Sequence, residues 1–325
     1  MIIPQYWAEG RICHREDGRQ VTVRRFGWSD VSQADAQANA ELRTAEALKR
    51  VLAGESLRRR ELKVPYNGAD GVPIREEILS RHGSSVVTRN SYGAWCLNTP
   101  DVLFADIDYE IESSCLEVVL YGVGLAVLAG IAGWYLGFRL LAFVFANLGF
   151  VLGGQIPGLL KVLARRVRGG AENQAVARAR SFLARHPEWN LRLYRTPAGL
   201  RVLVTHATFC PKSQIVSQFF RALRVDPKYA RMCQKQNCFR ARLTAKPWRI
   251  SIATHMRPRP GVWPVASERL AQRTAWIEKY ESAAQSYAAC QLIAESGSGA
   301  THPEVADVRD LHDALCRANS LLPLA

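Results

Sequence analysis

The chain has 325 residues and carries 43 Lys and Arg against 29 Asp and Glu, a net charge of +14 at pH 7. A hydrophobic fraction of 48% with 8 Trp excludes a disordered basic tail, because such a chain buries enough apolar surface to offset the entropy lost on ordering. The positive charge favours a polyanionic partner, whether nucleic acid, a nucleotide or an anionic membrane surface, and does not choose among them.

Residues 1–74 predict an N-terminal α/β part. The first 30 residues alternate between apolar and polar side chains and carry turn signals, which predicts paired strands. Ser32 then precedes an alanine-rich run with basic residues near its end, which predicts a helix from 33 to about 53. After a polar connection, Pro73 opens a second predicted helix over 73–83, and residues 86–98 predict a strand.

An apolar segment, residues 116–160, follows the short apolar run 103–108 and holds only two charged residues, Glu117 and Arg139. About 20 apolar residues cross a bilayer core, so this segment predicts a helical hairpin that spans the membrane or enters one leaflet, in contact with lipid. The basic run 161–168 favours the cytoplasmic side and places the soluble domain in the cytoplasm. A buried helical pair in a soluble domain is the alternative, although small residues also let membrane helices pack closely.

Helical and strand patterns alternate beyond the hairpin. They predict a mixed α/β (α+β) domain that the hairpin interrupts, followed by a helical C-terminal extension over 264–325. The individual predictions are a helix at 172–190, a strand, turn and strand at 191–206, a helix at 212–225, strands at 238–243 and 248–255, and helices at 267–296 and 305–322.

Eight cysteines are scattered along the chain, and no basic-then-apolar secretory signal opens it. Both features predict reduced thiols in a protein that faces the cytoplasm, and they disfavour a disulfide scaffold.

The first candidate for chemistry is the pair Asp106 and Asp108 in LFADID, at the end of the apolar run. Alternate residues of a strand lie on one face, and two carboxylates there are suited to Mg²⁺ or Mn²⁺. An acidic strand end without a metal is the alternative.

The second candidate is the turn RTPAGLRV. The hydroxyl of Thr196, the turn amides around Gly199 and the cation of Arg201 can together hold phosphate oxygens. An ordinary hairpin turn is equally compatible with this pattern.

The third candidate is the segment from Asp226 to Arg249. It places Arg240, Arg242 and Lys246 on or just after a predicted strand, with Trp248 adjacent. Basic residues beside an aromatic ring engage phosphates and stack on bases, whereas a solvated basic face would need no ligand.

Taken in this order, the three candidates resemble the archaeo-eukaryotic primase superfamily, and in particular its primase-polymerase branch. That family carries a strand ending in two acids, a hydroxyl-x-basic element on a turn between strands, and an acid followed by Phe or Leu, Arg and a later Lys. LFADID matches the first and VDPKY with CFRARLTAK the third, over about residues 75–255 with the hairpin excised. The second matches in shape only, because Arg201 stands where the family usually has a histidine. The resemblance implies a mixed-sheet, primase-polymerase-like catalytic core that comprises residues 75–115 and 161–263.

The resemblance implies a metal-dependent nucleotidyltransferase that adds nucleotides to a nucleic-acid strand by a two-metal mechanism. Asp106, Asp108 and Asp226 would hold Mg²⁺ or Mn²⁺ as the catalytic residues. Nucleic acid and nucleoside triphosphates are the implied partners, and no specific protein partner is predicted. The implied nucleotide-binding residues are Thr196, Gly199, Arg201, Arg240, Arg242 and Lys246.

A second metal set consists of His206, Cys210, Cys233 and Cys238, with the spacing H-x3-C and C-x4-C. Tetrahedral zinc takes four such ligands, and the family often has a structural zinc near its active site. Buried cysteines acting as small hydrophobes are the alternative. The remaining histidines, His312 among them, show no partner set and are expected at surface or satisfied positions.

Two further functions stay open. One is a membrane-anchored nucleic-acid or nucleotide-binding protein without catalytic activity, and the other is a structural membrane protein in which the acidic and basic motifs are coincidental.

Overall fold

The computed structural model describes residues 1–16, 18–61, 73–109, 115–137, 139–167, 169–259 and 263–325. The protein is a mixed α+β chain that divides into two compact units. The first unit comprises Met1–Ile107, Phe182–Pro197 and Arg201–Ala325, and the second comprises Asp108–Ser181 and Ala198–Leu200. The predicted N-terminal part and C-terminal extension therefore belong to the same unit as most of the predicted core.

The predictions of paired strands in residues 1–30 and of a helix from 33 to about 53 are confirmed. Strands β1 (Tyr6–Glu16) and β2 (Arg19–Ser29) form an antiparallel hairpin, and helix α1 (Gln33–Leu52) follows. Ser32 caps this helix by accepting a hydrogen bond of 3.0 Å from the Asp35 amide, which satisfies a donor that the first helical turn leaves unpaired.

The first four-stranded sheet has the antiparallel order β3-β4-β5-β9. The helix predicted over 73–83 is wrong, because residues 77–82 form a strand that pairs with its neighbour around a turn at Gly83, where φ is +56°. The strand predicted over 86–98 is two strands. The bounds are β3 (Glu77–His82), β4 (Ser85–Arg89), β5 (Trp95–Thr99) and β9 (Phe239–Arg242).

The second four-stranded sheet has the order β10-β7-β8-β6. The strand predictions for 104–108 and 191–206 are confirmed. The C-terminal extension is not wholly helical as predicted, because its first helix stops at Ala284 and residues 291–297 form a strand antiparallel to β7. The bounds are β6 (Phe104–Asp108), β7 (Asn190–Thr196), β8 (Gly199–Val204) and β10 (Gln291–Gly297).

The first unit also contains helices between and after these strands. They are α5 (Gln214–Leu223), α6 (Pro227–Gln236), α7 (Ser267–Ala284) and α8 (Pro303–Cys316). The strand predicted over 248–255 is wrong, because Pro247–Arg249 form a single 3₁₀ turn. The Pro247 carbonyl accepts hydrogen bonds from the amides of Ile250 and Ile252. The core of the first unit includes Trp189, whose ring stacks on Phe219 with ring centroids 5.0 Å apart.

The apolar segment forms two helices, α2 (Cys115–Tyr135) and α3 (Arg139–Val167), and α4 (Gly170–Leu183) follows. Cys115–Tyr135 and Ala142–Leu160 are each long and apolar enough to cross a membrane. Only 6% and 17% of these two stretches are buried. That exposure does not fit the alternative of a buried helical pair, because an apolar surface of this kind is not normally left in water.

Candidate metal and nucleotide site

Asp106, on β6, is held by a buried arginine. Arg201 Nε lies 2.8 Å from Asp106 Oδ1, and Nη2 lies 3.4 Å from Oδ2. The side chain of Arg201 is 3% exposed and that of Asp106 is 32% exposed. The carboxylate therefore has one side fixed from within the domain and another side open.

The remaining donors of Arg201 also point inward. Nη1 donates to the Arg242 carbonyl at 2.7 Å and lies 3.3 Å from Nε2 of His312. Burial alone would lower the pKa of Arg201, but the Asp106 carboxylate and then Cys290 outweigh it and raise that pKa above its ordinary value. The expected contact of Arg201 with a triphosphate is therefore corrected: its buried guanidinium makes four contacts inside the protein and orients Asp106.

Asp226 lies beside Asp106 through the backbone. Its amide donates to the Asp106 carbonyl at 3.1 Å, and its carboxylate caps α6 by accepting the Lys228 amide at 2.9 Å. One turn later, the Tyr229 hydroxyl donates to the Phe104 carbonyl at 2.9 Å. The start of α6 is thus fixed to β6 at two points, which places the backbones of Asp106 and Asp226 side by side. The ligand oxygens of Asp106, Asp108 and Asp226, three residues that the structure describes, do not all lie within 4.8 Å of one another, so the predicted three-acid metal set is not assembled in this structure.

Helix α6 was not predicted, although its signal is in the sequence. Asp226 followed by Pro227 is a typical N-cap and first helical residue. The aspartate side chain accepts a hydrogen bond from an amide of the first turn, and proline lacks a backbone N–H that would have no partner within the helix.

Asp108 is the last residue of β6 and is exposed. Strand alternation places it on the same face as Asp106.

Of the basic residues predicted to bind nucleotide, Arg240 is held by an internal carboxylate. Its Nη2 lies 2.8 and 2.7 Å from the two oxygens of Glu76, and its side chain is 6% exposed. The expectation that Arg240 neutralises a triphosphate is corrected for the same reason as for Arg201. Arg242 is half-buried, and its guanidinium donates to the Thr244 carbonyl at 2.5 Å.

Lys246 belongs to a cationic and aromatic surface around Trp248. Its Nζ lies 5.5 Å from the centroid of the Trp248 ring, and Tyr92 meets that ring edge-on at 5.3 Å. Trp248 is 55% exposed, which is unusual for so large an apolar ring. We call Tyr92, Lys246 and Trp248 the Trp248 surface; a ring beside a cation can stack on a base.

The two remaining predicted residues lie at the β7–β8 turn. Thr196 ends β7 and is half-buried, and Gly199 begins β8 and is buried.

The predicted zinc set does not assemble. All four residues are described, yet no three of them bring ligand atoms within 4.8 Å of one another. His206 Nδ1 accepts the Asn190 amide at 3.3 Å, and Cys210 is exposed. Burial raises the pKa of the Cys238 thiol to about 11, which disfavours the thiolate that zinc needs.

A different group of soft ligands was missed. Cys290, His312 and Cys316 are buried and bring their ligand atoms within 4.8 Å of one another. His312 and Cys316 are four residues apart, on one face of α8, and that spacing could have been noticed. The approach of Cys290 depends on tertiary structure.

These observations define the class of protein. It is a mixed α+β protein that has an apolar helical hairpin and two carboxylates at the end of strand β6. No family model, curated protein or solved structure matches the chain.

Proposed function

We propose that the protein is a membrane-anchored nucleotidyltransferase that depends on Mg²⁺ or Mn²⁺ and extends a nucleic-acid strand from nucleoside triphosphates. The observation that carries the proposal is the 3.1 Å hydrogen bond from the Asp226 amide to the Asp106 carbonyl. It joins two acids that are 120 positions apart in the sequence. Backbone contact between the first and third motifs is consistent with the resemblance to primase-polymerases, and the carboxylates would have to close on the bound ion.

The charges and lone pairs of the carboxylates fit a divalent cation. Arg201 occupies one position on each oxygen of Asp106, and an ionised carboxylate offers about four acceptor positions. Carboxylate oxygens are the ligands that Mg²⁺ and Mn²⁺ prefer, so Asp106, Asp108 and Asp226 offer suitable chemistry for such an ion.

The division of labour among the protein's own residues follows from their burial. Asp106, Asp108 and Asp226 would hold the metal, and Arg201 would keep the Asp106 carboxylate oriented. A bound divalent ion would stabilise the charge that develops on the phosphoryl oxygens and on the departing pyrophosphate. The Trp248 surface would take a base by stacking, with Lys246 near a phosphate.

The membrane anchor is the hairpin of α2 and α3. Its exposed apolar side chains include Leu120 at 61%, Leu128 at 65% and Phe143 at 77%. Since a hairpin returns the chain to its starting side, the first unit would lie wholly on one face of the membrane. We place that face in the cytoplasm because of the basic residues after 160.

Incorporation of labelled nucleotide by the full chain in detergent, with Mn²⁺ and a primed or unprimed template, tests the activity. Asp108→Asn and Asp226→Asn remove a charge while keeping the shape, and an asparagine at 226 still caps α6. We expect each to lower incorporation by about a hundredfold or more, because metal ligands are lost. Asp307→Asn, an exposed acid on α8, is the control and should be fully active.

Wild-type-like incorporation by both site variants would reject the proposal. The test avoids Asp106 because its replacement would also leave buried Arg201 without its partner.

A second function, binding without catalysis, is favoured by one observation. The residue at the position of the family's histidine is Arg201, which is buried and engaged with Asp106 instead of being exposed to a phosphate. Such a protein would bind single-stranded nucleic acid through the Trp248 surface, with an affinity that falls steeply with salt. Binding that is lost in Trp248→Ala, together with no incorporation by the wild type, would select this alternative.

A further inference from the structure

The Cys290–His312–Cys316 cluster has the dimensions of a metal site. All three residues are fully buried, and their ligand atoms lie within 4.8 Å of one another. Cys290 Sγ is 3.9 Å from His312 Nε2. Around a tetrahedral zinc ion, a sulfur and a nitrogen ligand are about 3.6 Å apart and two sulfurs about 3.8 Å apart. The cluster therefore needs to contract by only a few tenths of an ångström at the measured pair.

Backbone hydrogen bonds hold the segment that carries Cys290 against the end of α8. His312 and Cys316 share a face of α8, and the Ala289 amide donates to the Cys316 carbonyl at 3.0 Å. The Leu292 amide donates to the Ala318 carbonyl at 2.9 Å. Cys290 is thus held between two bonds that tie its segment to the end of α8.

The histidine is oriented as a metal ligand would be. Its Nδ1 lies 3.0 Å from Asp313 Oδ1, and Asp313 is itself held by Arg192 at 2.7 Å. A carboxylate on one ring nitrogen keeps the proton there and leaves the lone pair of the other for a metal. Here the second nitrogen, Nε2, faces Cys290 and also lies 3.3 Å from Arg201 Nη1, a contact that a bound metal would replace.

We propose that Cys290, His312 and Cys316 bind a structural zinc ion that fastens α8 to the start of β10. Two thiolates and an imidazole are soft ligands, which select zinc over Mg²⁺. Two thiolates also neutralise the ion, so the nearby charge of Arg201 stays balanced by Asp106. Among the residues that the structure describes, the set supplies three side chains, and the fourth position falls to water or to the Arg242 carbonyl, 3.6 Å from Cys316 Sγ.

This ion is independent of the proposed nucleotidyl transfer, and its test needs no nucleotide. The full chain is purified in detergent without added metal, and its zinc content is measured by mass spectrometry. We expect about one zinc per chain in the wild type and at least tenfold less in Cys290→Ser and Cys316→Ser. Cys238→Ser is the matched control, since Cys238 is equally buried but lies outside the cluster, and it should keep its zinc.

Cobalt substitution is a second test that uses only the wild-type protein, so it does not depend on whether a variant folds. Co²⁺ exchanged into the wild-type protein should show the absorption bands of tetrahedral thiolate coordination, and zinc but not Mg²⁺ should remove them. The proposal is overturned by a wild-type protein that holds no stoichiometric zinc and gives no such bands, whether its two thiols are then free or joined as a disulfide. Zinc that persists in Cys290→Ser, or that depends on Cys238, overturns it equally.

Discussion

Arg201 shows how one buried charge can organise its surroundings. Its guanidinium contacts a carboxylate on β6, a carbonyl on β9 and a histidine on α8. A charge in that position is tolerated only because each contact offsets part of the cost of removing it from water. Asp106 is therefore positioned by the interior of the protein and not by solvent.

We predict that Arg201→Met destabilises the protein by about 3 kcal/mol, because Asp106 loses its partner. Asp106→Asn combined with Arg201→Met should cost less than the sum of the two single changes, since the pair is then removed together. Thermal unfolding of the detergent-solubilised chain measures both effects.

Arg231→Met is the control for this cycle. Arg231 is exposed on α6, so its loss should change the free energy of unfolding by no more than about 0.5 kcal/mol. Strict additivity of the two single changes would show that Asp106 and Arg201 do not stabilise each other.

Sequence patterns predict which residue types occur at the candidate site, but they do not predict which of those side chains are buried. Short motifs predict Asp106 and Asp226 as site residues, and the structure places their backbones in contact. Arg201 and Arg240 carry the same charge as solvent-facing arginines, and a motif cannot tell which carboxylate will meet them. Their partners, Asp106 and Glu76, are 95 and 164 positions away in the sequence.

At the scale of elements, the sequence predicted best what local signals determine. Helix α1 has a capping serine, and the β7–β8 hairpin has a turn with proline and glycine between its strands. The pattern over 267–296 predicts one continuous helix, whereas residues 291–297 form strand β10. Its strand state depends on pairing with β7, about 100 residues earlier, and local propensity does not report such pairing.

The packing of α2 against α3 depends on glycine at the points of closest approach. A Cβ on Gly153 would lie 2.5 Å from the Tyr121 carbonyl oxygen, whereas one on Gly124 would meet nothing within 4 Å. Small residues at such points let helix backbones approach closely.

We predict that Gly153→Leu separates the two helices and that Gly124→Leu does not. A disulfide between Gly130→Cys and Ala146→Cys reports the separation, because a Cβ on Gly130 would lie 3.6 Å from that of Ala146. Its yield, measured by mass spectrometry of peptides, should fall severalfold with Gly153→Leu only. Equal yields in both backgrounds would contradict the close approach.

At the scale of the whole molecule, the proposed membrane location rests on the two long apolar helices, α2 and α3. We predict that alkaline carbonate leaves the chain in the membrane fraction and that detergent releases it. Leu120→Arg with Leu128→Arg should lower the membrane-bound fraction, since an arginine near the bilayer centre costs about 2.5–3.5 kcal/mol.

Leu321→Arg is the control for this pair, because Leu321 is fully exposed outside the hairpin. It should leave the membrane-bound fraction unchanged. Release of the wild type by carbonate would show that the hairpin does not anchor the protein.

The order of strands in the second sheet has a consequence for biosynthesis. Strand β6 is made before the hairpin, and the other strands of its sheet, β7, β8 and β10, are made after it. In the anchored protein the hairpin would enter the bilayer while β6 still lacks its neighbour β8, and synthesis through β10 would take on the order of 10 s more. Newly made chains of intermediate length would therefore leave Phe104 and Ile107, which are buried in the finished protein, without their sheet while the hairpin is already complete.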